Sequence, residues 1–201
     1  GLIFVRFRKG PQASVAQHLA QFGPELEPYR PAEMVPSGKF WKSALPVNWK
    51  SVRDVDNEGY HVAMAHPALQ DLYGSTYHDI LYPDGLNCAK GTYNHHAGRR
   101  WSVKNYIRLS RGADFLPEHL RTVWAYYGLF PNAVIVATPE TIQFYQELPN
   151  GVDSATVRGV IYRRPSETRE QRLARYLSYR IDRETYEEDT QLSIWSNESM
   201  K

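Results

Sequence analysis

The chain has 201 residues, with 24 Lys plus Arg against 22 Asp plus Glu and a formal charge of +2. That length fits one domain that buries its own core, and the near-balanced charge excludes the concentrated basic face of a nucleic-acid-binding protein. Cys88 is the single cysteine, so an internal disulfide or iron–sulfur cluster is excluded and a reducing, cytoplasmic setting is expected.

In chain order, the β-rich run Leu2 to Phe7 predicts a strand, and the chain is expected to begin inside a longer polypeptide. Val15, Leu19 and Phe22 predict a short helix closed by Gly23-Pro24. Pro28, Pro31 and Pro36 make an irregular connector, followed by a strand over Phe40 to Val47. Asn48 is placed to cap a helix from Trp49 to about Met64, and Pro67 restarts a second one through Leu72. Residues 73–98 hold five glycines or prolines and read as a long irregular excursion.

Beyond it, a strand is expected over Trp101–Leu109 and a helix over Pro117–Tyr127. Ala133–Ala137, Thr141–Leu148 and Ala155–Tyr162 alternate between turn signals and predict an antiparallel meander. From Ser166 to about Ile194 the pattern is helical, with Leu173, Tyr176, Leu177 and Ile181 as its apolar stripe. The class is α+β, an antiparallel sheet with helices over one face. No apolar run approaches the length of a membrane span.

The chemistry concentrates at Glu58, His61 and His66, which lie within nine residues. Imidazole suits mid-to-late first-row metals, and two His plus a carboxylate on one face of an octahedron leave adjacent positions open for dioxygen and substrate. On a regular helix, side chains five apart point about 140° away from one another. Convergence of His61 and His66 therefore requires a π-bulge or a kink just before Pro67. The apolar run Val62-Ala63-Met64-Ala65 suggests that this turn faces inwards.

Asn48-Trp49-Lys50, then Asn57-Glu58-Gly59-Tyr60-His61 and His66-Pro67, resemble the signature of the Rieske non-haem iron oxygenase (aromatic-ring-hydroxylating) alpha subunit. The likeness runs on through Phe130-Pro131-Asn132 to Glu187-Glu188-Asp189. It implies a catalytic domain of helix-grip (START-like) fold over residues 1–201, with a long C-terminal helix. It implies a mononuclear Fe(II) held by His61, His66 and an aspartate on a late helix, for which Asp189 is the choice and Asp182 the competitor. Glu58 is then an electron-transfer bridge towards a Rieske [2Fe–2S] cluster on a neighbouring subunit, and its being Glu suggests a small quaternary ammonium substrate. Asp54 falls where the family often carries a polar side chain near the iron.

The resemblance also implies O2, a small organic substrate, a reductase or ferredoxin electron donor, and a homotrimer. With one cysteine this chain lacks the Rieske domain, so the fragment is expected to be inactive alone. Tyr60, Met64, Trp124, Phe144 and Trp195 are candidates for a substrate pocket. His78 is a candidate pocket neighbour, and His95-His96 reads as a loop pair. Two readings without oxygenase chemistry stand beside this one. A metal-free helix-grip ligand-binding module would make Glu58, His61 and Asp189 ordinary structural residues, and a zinc hydrolase would be indifferent to dioxygen.

Overall fold

The computed structural model of the protein describes residues 3–38, 40–82, 86–93, 98–110 and 113–201. Two short helices, α1 (Val15–His18) and α2 (Gly23–Leu26), precede strands β1 (Val35–Pro36) and β2 (Trp41–Leu45). Helices α3 (Trp49–Asn57), α4 (Val62–Ala65) and α5 (Pro67–Tyr73) follow, then β3 (His78–Leu81), β4 (Asn87–Thr92) and α6 (Trp101–Leu109). The meander β5 (Val123–Leu129), β6 (Ala133–Ala137), β7 (Thr141–Gly151) and β8 (Ser154–Arg163) leads into α7 (Arg169–Ser199). Among the described residues no helix is long and apolar enough to cross a membrane.

Among the described residues, eight strands join one antiparallel sheet in the order β1-β8-β7-β6-β5-β4-β3, with β2 also paired to β8. The sheet and its long C-terminal helix form the expected α+β, helix-grip arrangement. Alternation along each strand divides the side chains between two faces. Ala125, Tyr127, Ile135, Ala137 and Ile142 face a core completed by Phe22, Tyr29 and Leu116. Trp124 faces the opposite way, into a core built with Leu69, Val103, Tyr106 and Ile181 from the helices. Both faces are thus covered, one by helices and the other by the N-terminal segment.

Helix α7 begins with a capping box in which Thr168 and Gln171 exchange side-chain-to-backbone bonds. Its buried residues Ala174, Leu177, Ser178, Ile181 and Thr185 recur at three- and four-residue steps along one face. Asn48 caps α3 by accepting from the Lys50 N–H at 3.0 Å. Its own N–H donates to Asn197 Oδ1 at 2.9 Å and its amide donates to the Val152 carbonyl at 2.7 Å. One residue therefore starts α3, clamps the end of α7 and ties both to the β7–β8 turn.

Four expectations change. Residues 3–7 form no strand and lie exposed. Trp101–Leu109 is helix, because Val103, Tyr106, Ile107 and Ser110 bury at steps of three and four, a period that outweighs the strand propensity of its aromatic and branched residues. Over 117–127, only Glu118–Leu120 coils, as a 3-10 turn, and β5 follows. β5 is buried on both faces, so its unbroken apolar run carries no period to tell strand from helix. Within 73–98, β3 and β4 form a regular ladder from His78↔Lys90 to Leu81↔Asn87. His95 and His96 lie outside the described residues.

Trp124 is fully buried, and its indole N–H donates to Tyr106 Oη at 2.7 Å. Tyr106 donates in turn to Glu140 Oε2 at 3.0 Å. Trp124→Ala removes this filling and leaves a cavity, so unfolding free energy in urea should fall by about 3–5 kcal/mol.

Candidate metal centre

Helix α3 ends at Asn57, and Glu58 turns extended at φ −123°, ψ 148°. Gly59 is pressed against the Tyr77 ring and the Asp79 carboxylate, with no room for a side chain, and donates its N–H to Asp79 Oδ2 at 2.8 Å. This close approach swings the chain so that His61 starts a new turn. Helix α4 then stops at His66, whose φ −114°, ψ 79° is non-helical, as Pro67 demands of the residue before it. The required break between the two histidines is thus present, just before Pro67.

Each imidazole is held from behind. His61 Nδ1 lies 2.5 Å from Glu58 Oε1, and His66 Nδ1 lies 2.8 Å from Glu188 Oε2. With each Nδ1–H donated to a carboxylate, each Nε2 keeps its lone pair, the state in which imidazole binds a metal. The two Nε2 atoms face one another at 3.0 Å. Asp189 Oδ1 joins them, 2.8 Å from His66 Nε2 and 3.5 Å from His61 Nε2. The three ligand atoms lie within 4.8 Å of one another.

Those distances fit a cation. Two donors at right angles about 2.1 Å from one ion sit about 3 Å apart. Asp189 Oδ1 is buried and, despite its closeness to both rings, makes no well-directed hydrogen bond. Three converging acceptors repel unless a proton or a metal lies among them.

The electrostatics agree. Burial alone would lower both imidazoles, but the close Asp189 carboxylate, aided by Glu58 on His61 and Glu188 on His66, raises them above the usual value. Burial would raise Asp189, yet the closeness of His61 and His66 holds it below the usual carboxylate range. Asp189, not Asp182, is the acid that meets the histidines.

The centre opens into a cavity of about 310 Å³, lined among others by Trp41, Tyr77, Tyr126, Tyr145, Tyr186 and Asp182. Asp54 is exposed on the outer side of α3, and Asp56 lines the cavity beside Val52 and Val55 instead. Tyr145 donates to Asp56 Oδ2 at 3.0 Å. Behind this pair, Glu147 is fully buried, 3.7 Å from the Arg53 guanidinium. Burial, then the charge of Asp56, pushes Glu147 up to about 10 in spite of Arg53. Burial likewise raises Asp56.

None of the five aromatic or Met candidates lines that cavity. Tyr60, Met64 and Trp195 point to solvent, 85%, 88% and 58% exposed. Ala63 is exposed with Met64, so the 62–65 turn is an inner wall only at Val62. Phe144 lies on the far face of the sheet, its neighbours Gln143 and Tyr145 taking the cavity face. Trp124 belongs to the helix-side core and borders a second, adjoining cavity. His78 is exposed on β3, and Tyr77 is the cavity residue next to it. Cys88 is buried, and burial pushes its thiol up to about 12, which leaves no nucleophile for a cysteine hydrolase.

Sequence reasoning missed Asp56, Glu147 and the role of Glu188. For Glu188 a signal existed, since adjacent acids on a helix point about 100° apart and approach one ring from two sides.

Among curated proteins no sequence relative matches. In solved structures, a quaternary ammonium Rieske monooxygenase, CntA, in complex with an inhibitor, is 15% identical with a TM-score of 0.65 over 94% of this chain and 47% of that one. CntA in complex with L-carnitine is 15% identical with a TM-score of 0.63 over 96% and 47%. Naphthalene 1,2-dioxygenase from Rhodococcus sp., bound to indole, is 14% identical with a TM-score of 0.63 over 92% and 50%. The chain thus spans about half the length of these structures and shares their fold. The family described as ring hydroxylating alpha subunit, catalytic domain, matches residues 32–201, the whole segment from β1 to the end of α7 that builds the two-histidine, one-aspartate centre, and the chain belongs to that family.

Proposed function

We propose that this chain is the catalytic domain of a non-haem iron oxygenase in which His61, His66 and Asp189 hold one Fe(II). The observation that carries the reading is the convergence of both Nε2 atoms and the buried Asp189 Oδ1 on one point. When bound, iron supplies the activation of O2 for insertion into an organic substrate. The protein's own residues do the rest. Glu58 and Glu188 orient the two rings, the cavity walls exclude water, and the aromatic side chains hold the substrate beside the centre.

The electrons would come from a Rieske [2Fe–2S] cluster outside the chain, itself fed by a reductase or ferredoxin. Glu58 suits the bridge, because it contacts His61 on one side and keeps a third of its side chain exposed on the other. Exposed Tyr60 and Met64 flank it, a surface for the cluster-bearing domain of a neighbouring subunit in a trimer. On this reading the chain alone should not turn over.

Hydroxylation of an aromatic or other small organic substrate fits the family. A specific observation favours the second reading, oxidation or demethylation of a quaternary ammonium compound. The cavity has tyrosine and tryptophan walls with acids inside it, Asp56 and Asp182, whereas its cations Lys42 and Arg183 sit exposed at the rim. Rings and half-buried acids attract a cation. A metal-free ligand carrier of the same fold would bind no iron, and a zinc hydrolase would prefer zinc, so elemental analysis after anaerobic loading separates the three.

His61→Ala should abolish stoichiometric iron measured by plasma mass spectrometry while the fold persists by circular dichroism. Full iron retention in that variant refutes the assignment. Glu188→Gln weakens the support behind His66 and should reduce ferrous affinity by about 10–100-fold.

Metal binding must displace the imidazole protons. Because both pKa values are raised, ferrous affinity should keep increasing with pH beyond the ordinary histidine value before it levels. In metal-free protein the raised histidines stabilise the fold below their unfolded pKa, and that contribution is lost as pH rises through the folded values. The metal-free melting temperature should therefore fall on the alkaline side, and iron should remove that fall.

A further inference from the structure

A second cavity, of about 520 Å³, lies between the first half of α7 and the β1–β2 edge of the sheet. It shares Trp41, Val136, Gln143, Ile161, Tyr179 and Asp182 with the cavity at the metal centre, so the two chambers meet at these side chains. Asp182 is the one acid among the six. It makes no hydrogen bond or ion pair with any described residue, and only the more distant charges of Asp189 and Asp56 act on it.

Among the described residues, none of the nearby cations pairs with Asp182. Arg175, in the second chamber, is held by both Glu167 oxygens at 2.7 and 2.9 Å and donates to Ser37 Oγ at 2.8 Å. Arg183 turns outwards, 4.0 Å from Glu187. Arg172 also lines the second chamber, on its solvent-exposed side.

A carboxyl enclosed among rings without a partner is costly when charged, and a cation brought beside it removes that cost. We propose that Asp182 is a specificity-determining residue that receives the positively charged head of the substrate at the junction of the two chambers. Trp41, Tyr126 and Tyr179 supply ring faces around the same cation. Seven residues of helix separate Asp182 from Asp189, about 10 Å of rise, so one small molecule touches Asp182 and reaches the metal centre. The second chamber is its route in. Burial and the neighbouring acids push Asp182 up to about 7, the mark of a group short of a counter-charge.

The inference rests on the cavity being the substrate chamber, and its test does not depend on turnover. Choline and its neutral carbon analogue 3,3-dimethylbutan-1-ol have the same shape and differ in charge. Binding of each is followed by tryptophan fluorescence, alongside ferrous loading of the same samples. Wild type should bind choline at least about tenfold more tightly than the alcohol. Asp182→Asn should erase that preference by weakening choline alone, with iron content unchanged, and Asp182→Glu should keep it.

Equal binding of the two probes by wild type, or binding of neither, overturns the proposal. A preference that survives in Asp182→Asn does so as well. A choline preference that depends on Asp182 in a protein that takes up no iron would uphold the anchor and refute the iron reading.

Discussion

Two hydrogen bonds decide what this molecule can do: Glu58 to His61 Nδ1 and Glu188 to His66 Nδ1. Each fixes a ring by its rear nitrogen and so aims Nε2 at the same point. Asp189 then closes the third side, with a buried oxygen that no directed hydrogen bond satisfies. Free of metal, the group is resolved by protons, which is why both imidazoles titrate high and the carboxylate low. The same arrangement makes a cation the natural occupant.

The fold exists to bring these parts together from distant sequence. The histidines stand around a short helix whose two ends are set by Gly59 and Pro67, and Asp189 arrives more than a hundred residues later on α7. What fixes the register between them is the clamp of Asn48 on Asn197, supported by Ser51 at 3.4 Å. Behind the cavity, Gly128 has no side chain where Arg53 and Asn87 press against the sheet. Arg53 donates to Asn87 at 3.1 Å, which holds a guanidinium beside the buried Glu147. The helix-side face of the sheet is therefore polar at its centre and apolar around it, an arrangement that suits a reaction chamber better than a plain core.

Much of this was legible in the residues. The strand-like runs of β6, β7 and β8 lie between clear turn signals and match the observed strands within a few residues, and the apolar stripe of the long C-terminal helix is evident. Glu58, His61 and His66 belong to a motif whose order and spacing are specific, whereas Asp189 follows only from the family's late acidic helix; the structure brings all four side chains together. The pocket walls were not legible. Aromatic side chains on a strand switch faces with every residue, so Phe144 and Tyr145 differ wholly in position yet look alike in sequence. Met64 sits on a helix of four residues and Tyr60 on the turn before it, a stretch too short for a period to separate inside from outside. Asp54 and Asp56 differ by two places on α3, about 200° of rotation, and only the packing of Val52 and Val55 decides which acid faces in.

The most direct test of the central claim is X-ray absorption at the iron edge on anaerobically loaded protein. It should show one iron per chain, bound by oxygen and nitrogen at about 2.1 Å with the outer-shell scattering of two imidazoles. Iron that fails to bind stoichiometrically, or a spectrum with fewer than two imidazoles, would contradict it.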